Sequence, residues 1–162
     1  MDTTRRDGGD TLRDDEAIER SQRPGHYSLR EYRAIAIAQP LAGVDVVATV
    51  PQGSRWRVQC LQAQLVSSAA IANRVAHLVI TDGQGNTVYN FPAQGNQLAG
   101  TTGIYTAGSG VVAVAFDGVT VMVVPENTLL LRNWTIGFKT SLLDGADQWS
   151  KLALIVEEWL EF

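Results

Sequence analysis

Asn133-Trp134-Thr135-Ile136-Gly137-Phe138-Lys139-Thr140 puts a large apolar residue at every second position, which is the period of a strand with one buried face. After the turn-forming Leu143-Asp144-Gly145-Ala146-Asp147 comes a longer run, Gln148-Trp149-Ser150-Lys151-Leu152-Ala153-Leu154-Ile155-Val156-Glu157-Glu158-Trp159-Leu160-Glu161-Phe162. As a strand it places Leu152, Leu154, Val156 and Leu160 on one face and Trp149, Lys151, Ala153, Ile155 and Trp159 on the other. The competing reading is a C-terminal helix, since Leu, Ala and Glu are good helix formers. The Leu152–Val156 block has no polar helical face, so the strand is preferred. The expected core therefore contains Trp134, Ile136 and Phe138 together with Leu152, Leu154 and Val156.

Working outward, 162 residues with 45% hydrophobic content can bury one sizeable core, with an appendage. The net charge of -4 does not suggest a nucleic-acid surface. No apolar run approaches the ~20 residues of a membrane helix, and the N-terminus is charged where a signal peptide would be apolar, so a soluble chain without a cleaved signal is expected. The single cysteine, Cys60, excludes an intrachain disulfide and fits a reducing cytoplasm.

Residues 1–43 read as a charged, flexible N-terminal arm and connector, and 44–162 as the folded domain. The arm interleaves Asp and Glu with Arg5, Arg6, Arg13, Arg20, Arg23, Arg30 and Arg33, and is broken at Gly8-Gly9 and Pro24-Gly25. It has too little apolar surface to offset its ordering entropy. It is either a solvated tail or an arm that orders on a partner, where arginine forks would meet carboxylates. Within the domain, Arg55–Val66 changes phase: Trp56, Val58 and Cys60 share one parity, then Leu61, Ala63 and Leu65 the other, which predicts a bulge or sheet corner. Arg74–Asp82, Gly83-Gln84-Gly85-Asn86 and Thr87–Phe91 read as a hairpin. Pro92–Gly110 reads as a long loop holding a short strand at Ile104-Tyr105. Val111–Phe116 and Val119–Val124 follow as strands around Asp117-Gly118. The expectation is an all-β domain, a β-sandwich or jelly roll of about eight antiparallel strands.

Three stretches, Val50-Pro51-Gln52-Gly53-Ser54-Arg55-Trp56-Arg57-Val58, Leu78-Val79-Ile80-Thr81-Asp82-Gly83-Gln84-Gly85-Asn86, and Asp147-Gln148-Trp149-Ser150 through Val156-Glu157-Glu158-Trp159, resemble in pattern the small jelly-roll or β-sandwich virion proteins of tailed bacteriophages. The resemblance spans Val44 to Phe162. It implies a capsid-decorating (cement) or neck/tail structural role, a virion location after synthesis in the host cytoplasm, and as partners the major capsid protein or neighbouring virion subunits. Such proteins use one surface many times, so a homo-oligomer is expected, a trimer in the first instance.

A search for chemistry finds no phosphate-cradling G-x-x-x-x-G-K-[ST] run, no Cys-x-x-Cys and no His-Glu-x-x-His. Neither a catalytic site, a cofactor nor a metal site is expected, and neither nucleic acid nor membrane is an expected partner. His77 would need a nucleophile and an acid beside it to form a triad; an ordinary surface or interface histidine is the simpler reading. Cys60 reads as a small core hydrophobe. Glu157 and Glu158 fall on opposite faces of a strand, a poor arrangement for a glycosidase pair. Glu126, Asp144 and Asp147 read as turn caps or surface charge. Trp56, Trp134, Trp149 and Trp159 read as core or subunit-interface residues, with a carbohydrate- or receptor-binding platform as the alternative.

Overall fold

The computed structural model describes residues 30–160, and over these the chain is all β, with no helix. Its twelve strands are β1 (Arg30–Ile37), β2 (Val46–Thr49), β3 (Ser54–Val66), β4 (Val75–Thr81), β5 (Thr87–Pro92), β6 (Thr102–Ser109), β7 (Val114–Phe116), β8 (Val119–Val124), β9 (Leu129–Leu130), β10 (Thr135–Ser141), β11 (Gln148–Trp149) and β12 (Leu152–Leu160). They form an eight-stranded sheet in the order β1-β12-β3-β6-β8-β7, with β9 and β11 also on β3, and a four-stranded sheet in the order β2-β10-β4-β5. The two sheets share one hydrophobic core, as in a β-sandwich. The stretch Glu31–Gly43, read as connector, supplies most of β1, which runs antiparallel along β12 from Arg30↔Trp159 to Ile37↔Leu152.

One pairing departs from the antiparallel expectation: β6 and β8 run parallel, from Ile104↔Val119 to Ser109↔Val124. The cause is local. β7 takes the outermost place in the sheet and returns the chain through Asp117-Gly118, whose φ values of 47° and 76° make the two-residue turn that matches strand twist.

The phase change in β3 is a bulge. Cys60 faces Ile155 while Val58 faces the next residue, Val156, so Gln59 is the extra residue. Its consequence is that Trp56 and Val58 before it, and Leu61, Ala63 and Leu65 after it, all reach the core. Cys60 is thereby turned away from the core and is half-buried, against the expectation of a core thiol. A second irregularity lies at Ser150-Lys151. Trp149 faces Leu65 and Ala153 faces Gln62, four residues on one side against three on the other. This resets parity and sends Trp149 into the core with Leu152, although simple alternation had separated them.

Ile136, Phe138, Leu152, Leu154 and Val156 are buried, and Trp134, which precedes β10, is half-buried against the same core. Phe138 stacks on Trp149 at 5.6 Å between ring centroids, and Tyr105 meets Trp149 edge-on at 5.4 Å. The Tyr105 hydroxyl donates to Gln97 Oε1 at 2.9 Å, which satisfies its polar end, and burial pushes its pKa up to about 12. Between Ile136 and Phe138, β10 passes so close to β2 that a Cβ on Gly137 would run into the Val46 carbonyl and the Val47 Cα.

The turn after β10 is held by a buried ion pair. Arg74 Nε donates to Asp147 Oδ2 at 2.6 Å, and both side chains are fully buried. The Arg74 fork also reaches the Ala70 carbonyl at 2.8 Å and Ser68 Oγ at 2.9 Å. Asp147 accepts from the amides of Ser68 at 2.7 Å and Asp144 at 2.8 Å. It is thus a long-range clasp, where a turn cap or surface charge was expected. Burial alone would raise the Asp147 pKa; the Arg74 guanidinium and the two amides outweigh burial and hold it below its ordinary value.

Candidate functional site

Strand alternation in the large sheet sends one set of side chains to the core and the other outward, and the outward set holds two apolar patches, divided by the polar column of Gln62 and Gln64 on β3 and Thr106 on β6. β1 contributes Ala34 and Ala36, and β12 contributes Ala153 and Ile155 opposite them. From β6, β8 and β7 come Ile104, Val119, Val121, Val123, Val114 and Phe116. Ile155 is 45% exposed, Val114 49% and Phe116 79%. The β6–β7 loop adds Val111, which folds over Gly108, and the more exposed Val112. The larger patch, on β6, β7 and β8, leaves Val112, Val114 and Phe116 exposed side by side, and exposed apolar residues grouped in this way mark an interaction site.

Charge is gathered at one end of the face. Glu157, buried on the outer side of β12, pairs with Arg30 of β1 and with Arg57 of β3, whose NH1 donates at 3.2 Å. The Arg57 guanidinium also lies over the Trp159 ring at 5.1 Å, and that of Arg30 at 5.9 Å. Glu158 points the other way: it accepts from the indole of buried Trp56 at 2.9 Å and from Arg33 at 2.5 Å. Burial would raise the Glu158 pKa, but the Trp56 indole, Arg33 and Ser54 hold it down. The two glutamates therefore serve two clusters on opposite sides of the strand. Each anchors an arginine of edge strand β1 to β12.

Of the arm arginines, Arg30 and Arg33 lie in β1 and make these pairs, whereas Arg5, Arg6, Arg13, Arg20 and Arg23 lie outside the described residues. Trp56 and Trp149 are buried and Trp134 and Trp159 half-buried, so no indole stands exposed beside the Gln94–Thr102 loop. Among the described residues no group of three or more His, Cys, Asp or Glu side chains is placed to hold a metal ion. The outer side of the small sheet carries polar groups among its valines. His77 of β4 lies there between Asn90 and Ser141, with Lys139 opposite it in register.

Sequence reasoning placed strands at Val111–Phe116 and Val119–Val124 and assigned their valines to no face. The signal available was excess: Val111, Val112, Val114, Phe116, Val119, Val121 and Val123 put apolar residues at both parities over a short span, more than one core face can hold. No family model, no curated protein and no solved structure matches this chain.

Proposed function

We propose that the protein is a structural virion component of a tailed phage, a capsid decoration or cement subunit. In this reading the apolar outer face of the large sheet seats against a second copy of the chain. The sandwich is of the jelly-roll kind, and the charged segment ahead of β1 is an arm that fastens onto the head lattice. The observation that carries the reading is the exposed apolar patch on β6, β7 and β8, with Val112, Val114 and Phe116 at its surface. Among the described residues no layer covers Ile155, Val114 or Phe116, and in this reading a second subunit supplies one. The charged cluster of Arg30, Arg57 and Glu157 then forms a polar rim at one end.

The experiment is light scattering on the full chain and on Ile155→Glu and Phe116→Asp variants, which alter exposed positions. A mass above that of one chain, falling to the monomer in both variants, is expected. A monomeric native protein at high micromolar concentration, or variants that associate as the native chain does, would remove the interface. Co-sedimentation with particles lacking the protein, with and without residues 1–29, tests the lattice and the arm separately.

A further inference from the structure

The outer side of the small sheet carries an ordered chain of polar groups that assembly through the large sheet does not use. His77 Nε2 lies 2.9 Å from Ser141 Oγ, and His77 Nδ1 lies 2.9 Å from Asn90 Oδ1. Register explains the arrangement: Ser141 faces Val75 and Asn90 faces Val79, so both sit diagonally across from His77, on the same side of their strands. Asn90 Oδ1 can only accept, so Nδ1 carries the proton, and in the neutral ring Nε2 is left to accept from the Ser141 hydroxyl. Ser141 and Asn90 are exposed and His77 is half-buried. A concavity of about 290 Å³ adjoins them, lined also by Asp45, Val79, Thr87 and Lys139. The residue after Ser141 is Leu142 at φ 56°, a left-handed conformation uncommon for a bulky side chain and often seen where function holds the backbone.

We propose that Ser141, His77 and Asn90 form an acyl-transfer site for small carboxylic esters. Ser141 Oγ attacks the ester carbonyl as His77 Nε2 takes its proton, forming the Oγ–C bond. The tetrahedral adduct collapses with cleavage of the C–O ester bond, and the proton passes from Nε2 to the leaving alcohol. Water then repeats the step with His77 as base, releasing the acid and regenerating the serine. Lys139, lining the same concavity, is the cation available to the developing oxyanion. Asn90 is a positioning residue that fixes the ring tautomer.

The test treats the full chain with a serine-directed fluorophosphonate and, separately, with excess p-nitrophenyl acetate followed from the pre-steady state into steady turnover. The expected results are one phosphonyl adduct on Ser141, located by peptide mass, and a burst of nitrophenolate. His77→Gln should lower the acylation rate about 10²–10⁴-fold, and Ser141→Ala should abolish the adduct and the burst. Asn90→Ala should lower kcat with little change in KM, and Asn90→Asp, which keeps the acceptor, should restore it. Ser141 and Asn90 are exposed and His77 half-buried, so circular dichroism of each variant should match that of the native chain, which excludes unfolding. No adduct at Ser141, or ester cleavage unaltered by Ser141→Ala, would overturn the site.

Discussion

Replacing Arg74 with methionine tests the clasp that joins the loop after β3 to the turn before β11. Methionine retains much of the apolar stem and removes the guanidinium. Four hydrogen-bond acceptors lie in that region: Asp147 Oδ2, the Ala70 carbonyl and Ser68 Oγ lose a donor, while Asp147 Oδ1 keeps the Ser68 amide. The carboxylate would remain inside the protein with two amides and no countercharge. Breaking a buried pair from one side costs about 3–5 kcal/mol. The double variant Arg74→Met with Asp147→Asn removes the stranded charge, so its loss should be smaller than the two single losses summed. The pH dependence has a definite sign. Asp147 is held below its ordinary 3.8, so its contribution is full above that value and is lost as pH falls through the lower folded value. In Arg74→Met the guanidinium no longer lowers it, and acid should cease to be destabilising through this group. Urea unfolding at neutral and acidic pH measures all three quantities. A loss below about 1 kcal/mol for Arg74→Met at neutral pH, or strict additivity in the double variant, would refute the reasoning.

Other outcomes follow from the core. Phe138→Ala, which empties the centre of the Tyr105–Trp149 group, should cost about 3–5 kcal/mol in urea unfolding, and a loss below about 1 kcal/mol would contradict its packing. Tyr105 should ionise only near pH 12, seen as a late step in ultraviolet absorbance; because its folded pKa is raised, its contribution is complete below the unfolded value of about 10 and disappears as pH rises through 12. Gly137→Ala should lower the melting temperature far more than an ordinary strand Gly→Ala change, since β2 must move to admit the methyl group; an unchanged melting temperature would show that β10 and β2 can part freely.

Much of the fold was legible because burial in strands writes itself with period two. Thr135–Ser141 and Leu152–Val156 show the pattern, and the break between Cys60 and Leu61 located a bulge that keeps Trp56 and Leu65 in one core. Where a second bulge was hidden among polar residues, at Ser150-Lys151, parity carried across it put Trp149 on the wrong face. The buried pair could not be read, because Arg74 and Asp147 each sit in locally ordinary polar sequence and meet only through tertiary structure. The same holds for Ser141, His77 and Asn90, which belong to three different strands. β1 was passed over because an edge strand with alanines and arginines has weak apolar alternation; its order comes from β12, including the pairs of Arg30 and Arg33 with Glu157 and Glu158.

The position of β12 also sets the timing of folding on the ribosome. It lies between β1 and β3, both of which are synthesised long before it. While the chain is being made, the β12-facing edges of Arg30–Ile37 and Ser54–Leu61 have hydrogen-bonding groups with no ladder partner, and Trp56 lacks the Glu158 carboxylate. Closure of the large sheet must wait for residues 152–160 to emerge, which makes it a late, non-local step of the slow kind. Nascent chains halted before Leu152 should therefore bind holdase chaperones and resist folding, while the full 162 residues, followed by an added linker long enough to carry them out of the ribosome, should acquire protease resistance in one step.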